Sequence, residues 1–113
     1  MLSVSPATRI YVATEPVDLR LSFTGLFAWV KNVMEADPLS GHLFLFTNRR
    51  RNRLKVLGWD GSGLWVCTKR LERSTFGWPQ AEEGRKTLHL RAEEFALLVH
   101  GVEGRSRSGW YRR

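Results

Sequence analysis

Hydrophobic positions change period several times along the chain, and each change marks an element. Arg9-Ile10-Tyr11-Val12-Ala13 is a β-prone run closed by Glu15-Pro16, which predicts a first strand. Apolar residues then recur at Leu19, Phe23, Leu26, Val30 and Val33, the spacing of one helical face, with Asp18 ahead of them as a candidate N-cap. An amphipathic helix is expected over residues 18–35, its apolar face widened by Phe27 and Trp29. Gly25 inside it costs about 1 kcal/mol of helix propensity, which a close approach to a sheet would justify. Asp37-Pro38-Leu39-Ser40-Gly41 has the composition of a turn.

Leu43-Phe44-Leu45-Phe46-Thr47 is a short continuous apolar run, the pattern of a central strand. Arg53 to Trp59 and Leu64 to Leu71 read as two more strands around Asp60-Gly61-Ser62-Gly63, a tight hairpin signal. With Gly61 and Ser62 as the turn, Trp59 faces Leu64, Leu57 faces Val66, Lys55 faces Thr68 and Arg53 faces Arg70. Residues 74–86 are irregular, with Phe76, Trp78 and Pro79 as packing, edge or docking residues. Thr87-Leu88-His89-Leu90 is a last strand. Ala92 to His100 forms a short helix without a good N-cap, ended by Gly101.

These elements describe an α+β fold: a mainly antiparallel sheet, one long helix packed across it and a short C-terminal helix. The length of 113 residues suits one domain. Residues 1–103 are expected to form it, and 104–113 to form a basic, mobile tail containing Trp110 and Tyr111. The composition, 42% hydrophobic and 26% charged, is that of a globular chain. No apolar run is long enough to span a bilayer, and residues 1–13 lack the layout of a signal peptide. Cys67, the lone cysteine, is expected to be buried and inert, and no Cys/His spacing resembles a zinc site. A cytoplasmic protein is expected, with no cofactor and no metal. Nothing in the sequence sets an oligomeric state.

Charge changes the picture. The net charge is +7, and it is unevenly spread. Between residues 38 and 81, Arg49, Arg50, Arg51, Arg53, Lys55, Lys69, Arg70 and Arg73 face only Asp60 and Glu72, whereas the chain before residue 38 and from 82 to 103 is acidic on balance. A run such as Arg49-Arg50-Arg51-Asn52-Arg53-Leu54-Lys55 repels itself, so folding alone gives no reason to build it. It suits an anionic partner, above all a nucleic-acid backbone. A solvated hairpin loop that only aids solubility is the plain alternative. The cations sit on a strand hairpin and not on a basic amphipathic helix, which argues against a membrane surface. Residues 18–35 carry only Arg20 and Lys31 as cations, so no recognition helix is expected, and backbone contacts dominate the expected mode of binding. Asp18, Asp37, Asp60, Glu72, His42, His89 and His100 form no recognisable catalytic or metal motif, which favours a non-enzymatic role.

Read in order, several segments resemble a known family. Val17-Asp18-Leu19-Arg20 with Phe23 and Gly25-Leu26 looks like its N-terminal signature. Residues 37–46 with Asn48-Arg49-Arg50-Arg51 look like its central one, and Lys55-Val56-Leu57, Trp59-Asp60-Gly61, Lys69-Arg70-Leu71-Glu72 and Phe76-Gly77-Trp78-Pro79 complete the pattern. The family is the small TnpB-type accessory protein encoded beside a DDE-type transposase in bacterial insertion sequences, unrelated to the RNA-guided nuclease of that name. The resemblance spans roughly residues 7–101. It implies a role in DNA transposition, with DNA and the transposase as partners. The basic residues named above are then the expected DNA contacts. In an alternative reading the chain docks on the transposase and meets DNA only within that complex.

Overall fold

The computed structural model describes residues 5–81 and 84–101. Five strands and two helices follow one another as β1 (Ile10–Ala13), α1 (Phe23–Asn32), β2 (Leu43–Thr47), β3 (Arg53–Trp59), β4 (Leu64–Arg70), β5 (Thr87–Leu90) and α2 (Ala92–His100). They form one sheet in the order β4-β3-β2-β1-β5. β1 and β2 are parallel, joined through α1, and every other pair is antiparallel. The fold is the expected α+β class. The basic tail at 104–113, with Trp110 and Tyr111, lies outside the described residues.

β2 is the middle strand and is buried along its whole length, which accounts for its unbroken apolar run. Its side chains alternate between two cores. Phe44 and Phe46 enter the core under α1 with Val17, Leu26, Val30 and Leu57. Leu43 and Leu45 enter the core on the other face with Val12, Leu54, Val56 and Leu98 of α2. Phe44 and Phe46 are 1% and 0% exposed, so neither ring is presented for base stacking. The β3–β4 ladder has the register read from the glycine turn, from Trp59 opposite Leu64 to Arg53 opposite Arg70.

Three expectations about α1 need correction. The helix runs from Phe23 to Asn32, ten residues and not the long helix expected over 18–35. Asp18 is not its N-cap: its carboxylate accepts the Arg20 backbone N–H at 3.0 Å and its carbonyl accepts the Leu21 N–H at 3.1 Å, closing a turn ahead of the helix. Gly25 is explained by its own chain and not by the sheet. A Cβ there would stand 2.6 Å from Leu21 Cδ2 and 2.9 Å from Leu21 Cβ.

On the opposite face, Phe76 and Trp78 are 1% and 4% exposed, and the Trp78 indole N–H donates to the Ala13 carbonyl at 2.9 Å. They are core residues and not a docking element. Cys67 is half-buried against that same core. α2 begins without a short polar cap, but the Glu94 carboxylate accepts the Arg91 N–H at 2.8 Å, and Gly101 ends the helix in the left-handed conformation.

Candidate nucleic-acid interface

Strand polarity gathers the basic residues. The C-terminal ends of β1, β2 and β4 and the N-terminal ends of β3 and β5 share one end of the sheet. Three connections meet there and are tied together through the backbone. The Val17 N–H donates to the Thr47 carbonyl at 2.8 Å, Leu71 to Asn52 at 2.9 Å, Phe76 to Arg51 at 2.7 Å and Thr14 to Lys86 at 3.1 Å. Arg20, Arg49, Arg50, Arg51, Arg53, Arg70, Arg73, Arg85 and Lys86 therefore lie on one end of the molecule. The acids described there, Glu15, Asp18 and Glu72, each pair with a neighbour: Lys86 at 2.8 Å, Arg20 at 2.7 Å and Arg70 at 3.1 Å. Among the described residues, Arg49, Arg50, Arg51, Arg53 and Arg73 have no acid within ion-pair distance.

The arginine loop is a built turn. Asn48 Oδ1 accepts the N–H groups of Asn52 and Arg53 at 3.1 and 3.2 Å, and its Nδ2 donates to Asn52 Oδ1 at 2.8 Å. The Thr47 hydroxyl donates to the Arg53 carbonyl at 2.8 Å. Arg51 takes the left-handed conformation, φ 60°, where glycine or asparagine is favoured. A residue with a Cβ costs about 1 kcal/mol of backbone strain at that position. Arg49 and Arg50 project into solvent from the tip, while Arg51 is half-buried.

The eight basic residues expected to contact nucleic acid divide in two. Arg49, Arg50, Arg51, Arg53, Arg70 and Arg73 come together at this end. Lys55 and Lys69 have protein partners. The Lys55 ammonium reaches the α1 face and donates to the Leu21 carbonyl at 2.7 Å, just before that helix. Lys69 lies on the opposite face and donates to the Val99 carbonyl in the last turn of α2 at 2.8 Å, a favourable place for a cation.

Arg20, Arg85 and Lys86 join the basic end without having been singled out from the sequence. The apolar period over 18–35 places Arg20 in a helix, whereas it stands in the turn ahead of α1. Ser22 immediately before Phe23 was the signal for a later helix start. The turn at residues 16–20 and the arginine loop are the two walls of a groove of about 440 Å³, lined by Pro16, Asp18, Leu19, Arg20, Asn48, Arg49 and Arg53. A smaller hollow of about 270 Å³ lies beside Arg51, Arg85 and Lys86.

Three further candidate acid and base groups, Asp37, His42 and Asp60, have local tasks. Asp37 accepts the Leu39 N–H at 2.9 Å, and His42 Nδ1 accepts the Arg9 N–H at 2.9 Å. Asp60 organises the β3–β4 turn, accepting Ser62 N–H at 2.8 Å, Gly63 N–H at 2.9 Å and the Trp65 indole N–H at 2.6 Å. Among the described residues, no three His, Cys, Asp or Glu side chains are grouped to hold a metal ion, and no helix is long and apolar enough to cross a membrane.

Comparison with known proteins agrees with the motifs. The family model described as IS66 Orf2 like protein matches residues 8–108. Protein y4jC of Sinorhizobium fredii is 44% identical over 103 residues, covering 91% of this chain and 86% of its own. Protein y4hO of the same organism is 36% identical over 105 residues, covering 93% of this chain and 90% of its own. No solved structure matches. On a match of this extent the chain belongs to the IS66 Orf2-like family, the transposition-associated accessory proteins of IS66-type insertion sequences.

Proposed function

We propose that this chain is a non-catalytic DNA-binding accessory factor that assists the transposase of its insertion sequence. The observation that carries this reading is the convergence of Arg49, Arg50, Arg51, Arg53, Arg70 and Arg73 on one end of the sheet, the first three on a loop held by Asn48 and anchored to the core through Phe76. Arginine suits phosphate because its planar fork donates two parallel hydrogen bonds. An ordered loop presents these forks without first having to be fixed, which strengthens binding for the same contacts. The contacts are to the backbone, and selection of the element ends falls to the transposase.

The test is a DNA titration across salt with wild type and an Arg49/Arg50/Arg51→Ala variant, on element-end and unrelated duplexes. Three lost phosphate contacts flatten the slope of log K against log salt by about 3. Absence of binding by the wild type at low salt overturns the reading.

A second reading rests on the sheet edge. β4 is an outer strand of seven residues, with Trp65 37% exposed, and it ends beside the arginine loop. A transposase segment added along β4 would place the arginines at the rim of a composite DNA channel. In that case the isolated chain binds DNA weakly and a pull-down with the transposase restores binding.

A further inference from the structure

Arg20 is held by a carboxylate that faces the same groove. Its Nε lies 3.1 Å from both Asp18 Oδ1 and Oδ2, and its Nη2 lies 2.7 Å from Oδ2. Asp18 Oδ1 also accepts the Arg20 backbone N–H at 3.0 Å. The pair adds only a little to stability, because the Arg20 side chain is 90% exposed and the Asp18 side chain 52% exposed. What the fork does is fix the direction of a guanidinium that would otherwise sweep through solvent. Its remaining N–H donors are left for another acceptor. Across the groove stand Arg49 and Arg53, with Asn48 at the base of their loop and Pro16 on the near wall.

We infer that this groove seats the phosphodiester backbone of one DNA strand, with Arg20 as a phosphate ligand on one wall, Arg49 and Arg53 on the other, and Asp18 as the positioning residue for Arg20. The inference rests on the DNA-binding reading above and extends it to a wall outside the arginine-rich hairpin. A phosphate between the two walls accepts hydrogen bonds from both sides. A groove of about 440 Å³ takes a single sugar-phosphate strand and not a whole duplex, so the DNA lies with one backbone in the groove. The negative charge of Asp18 is matched within the ion pair, so the strand meets oriented donors and little net repulsion.

Asp18→Asn separates this arrangement from general electrostatics. The variant removes a negative charge from the basic end and keeps an oxygen to accept the Arg20 N–H, so the turn is retained. If charge alone governs binding, its affinity for a short duplex rises. If Asp18 aims Arg20, its affinity falls, by about threefold to tenfold at low salt, and Arg20→Ala falls by about tenfold and flattens the salt slope by about 1. The Arg49/Arg50/Arg51→Ala variant and thermal melts of each protein accompany the titration. Normal binding by both Arg20→Ala and Asp18→Asn, with the triple variant impaired, overturns the groove and leaves the loop reading intact. A wild type that binds no DNA overturns both.

Discussion

Arg53 stands directly opposite Arg70 across the β3–β4 ladder, two guanidinium groups on the same face at the mouth of the arginine loop. Like charges in this position destabilise a sheet by a few tenths to about 1 kcal/mol, and Glu72 offsets only the Arg70 side from an exposed position at 3.1 Å. Arg53→Thr is therefore expected to raise stability in urea by up to about 1 kcal/mol while weakening DNA binding. A substitution that improves the fold and damages the interface is the mark of a pair kept for a ligand. A fall in both would assign Arg53 to the fold.

Lys55 and Lys69 provide the reverse test. Lys55→Met keeps the aliphatic stem but leaves the Leu21 carbonyl without its 2.7 Å donor, and should cost about 1–2 kcal/mol in urea unfolding. Lys69→Met removes the cation at the end of α2 and should cost about 0.5–1 kcal/mol. Neither change should alter the salt slope of DNA binding. A slope reduced by about 1 in either variant would return that lysine to the interface.

Gly25→Ala should lower the melting temperature, although alanine is the better helix former by about 1 kcal/mol. The new methyl would stand 2.9 Å from Leu21 Cβ, so turning the leucine side chain away does not remove the clash. Overpacking of this kind costs about 1–3 kcal/mol, which outweighs the propensity gained. A rise in melting temperature would show that the Leu19–Ser22 backbone yields.

Two carboxylates make stability depend on acid pH. The Trp65 indole, followed by the Ser62 and Gly63 N–H groups, holds Asp60 well below the usual carboxylate range. The Arg20 guanidinium and backbone N–H hold Asp18 at about 2, down from 3.8. Both groups titrate lower in the folded chain than in the unfolded one. Their contribution is thus complete above the unfolded value near 3.8 and is lost as pH falls through the folded values. The melting temperature should fall between pH 4 and 2, and Asp60→Asn should reduce that fall. In an NMR acid titration the Trp65 indole N–H resonance should move only below pH 4.

The sheet was legible because its strands carry local signals. Gly61-Ser62 set the β3–β4 register, and the unbroken apolar run of β2 announced a strand covered on both faces. The start of α1 was not legible from periodicity, because Leu19 is buried in the same core as Leu26 and Val30 while standing in a turn. An apolar side chain on the core face continues the helical period whether or not its backbone is helical. The hairpin cations were visible as a run, but which of them are free was not. Lys55 and Lys69 lose their freedom to carbonyls of residues 21 and 99, distant in sequence. Arg20, Arg85 and Lys86 reach the basic end through strand order, which no local pattern encodes.

Phe76 is nearly inaccessible to solvent, and its N–H holds the carbonyl of Arg51 at 2.7 Å. The segment that seals one side of the core is thereby also the tether of the arginine loop. Heat or denaturant that frees Phe76 releases the loop in the same cooperative step. On the proposed DNA-binding reading, binding and integrity of the fold should be lost in one melting transition, and slow amide exchange at Phe76 should report on both.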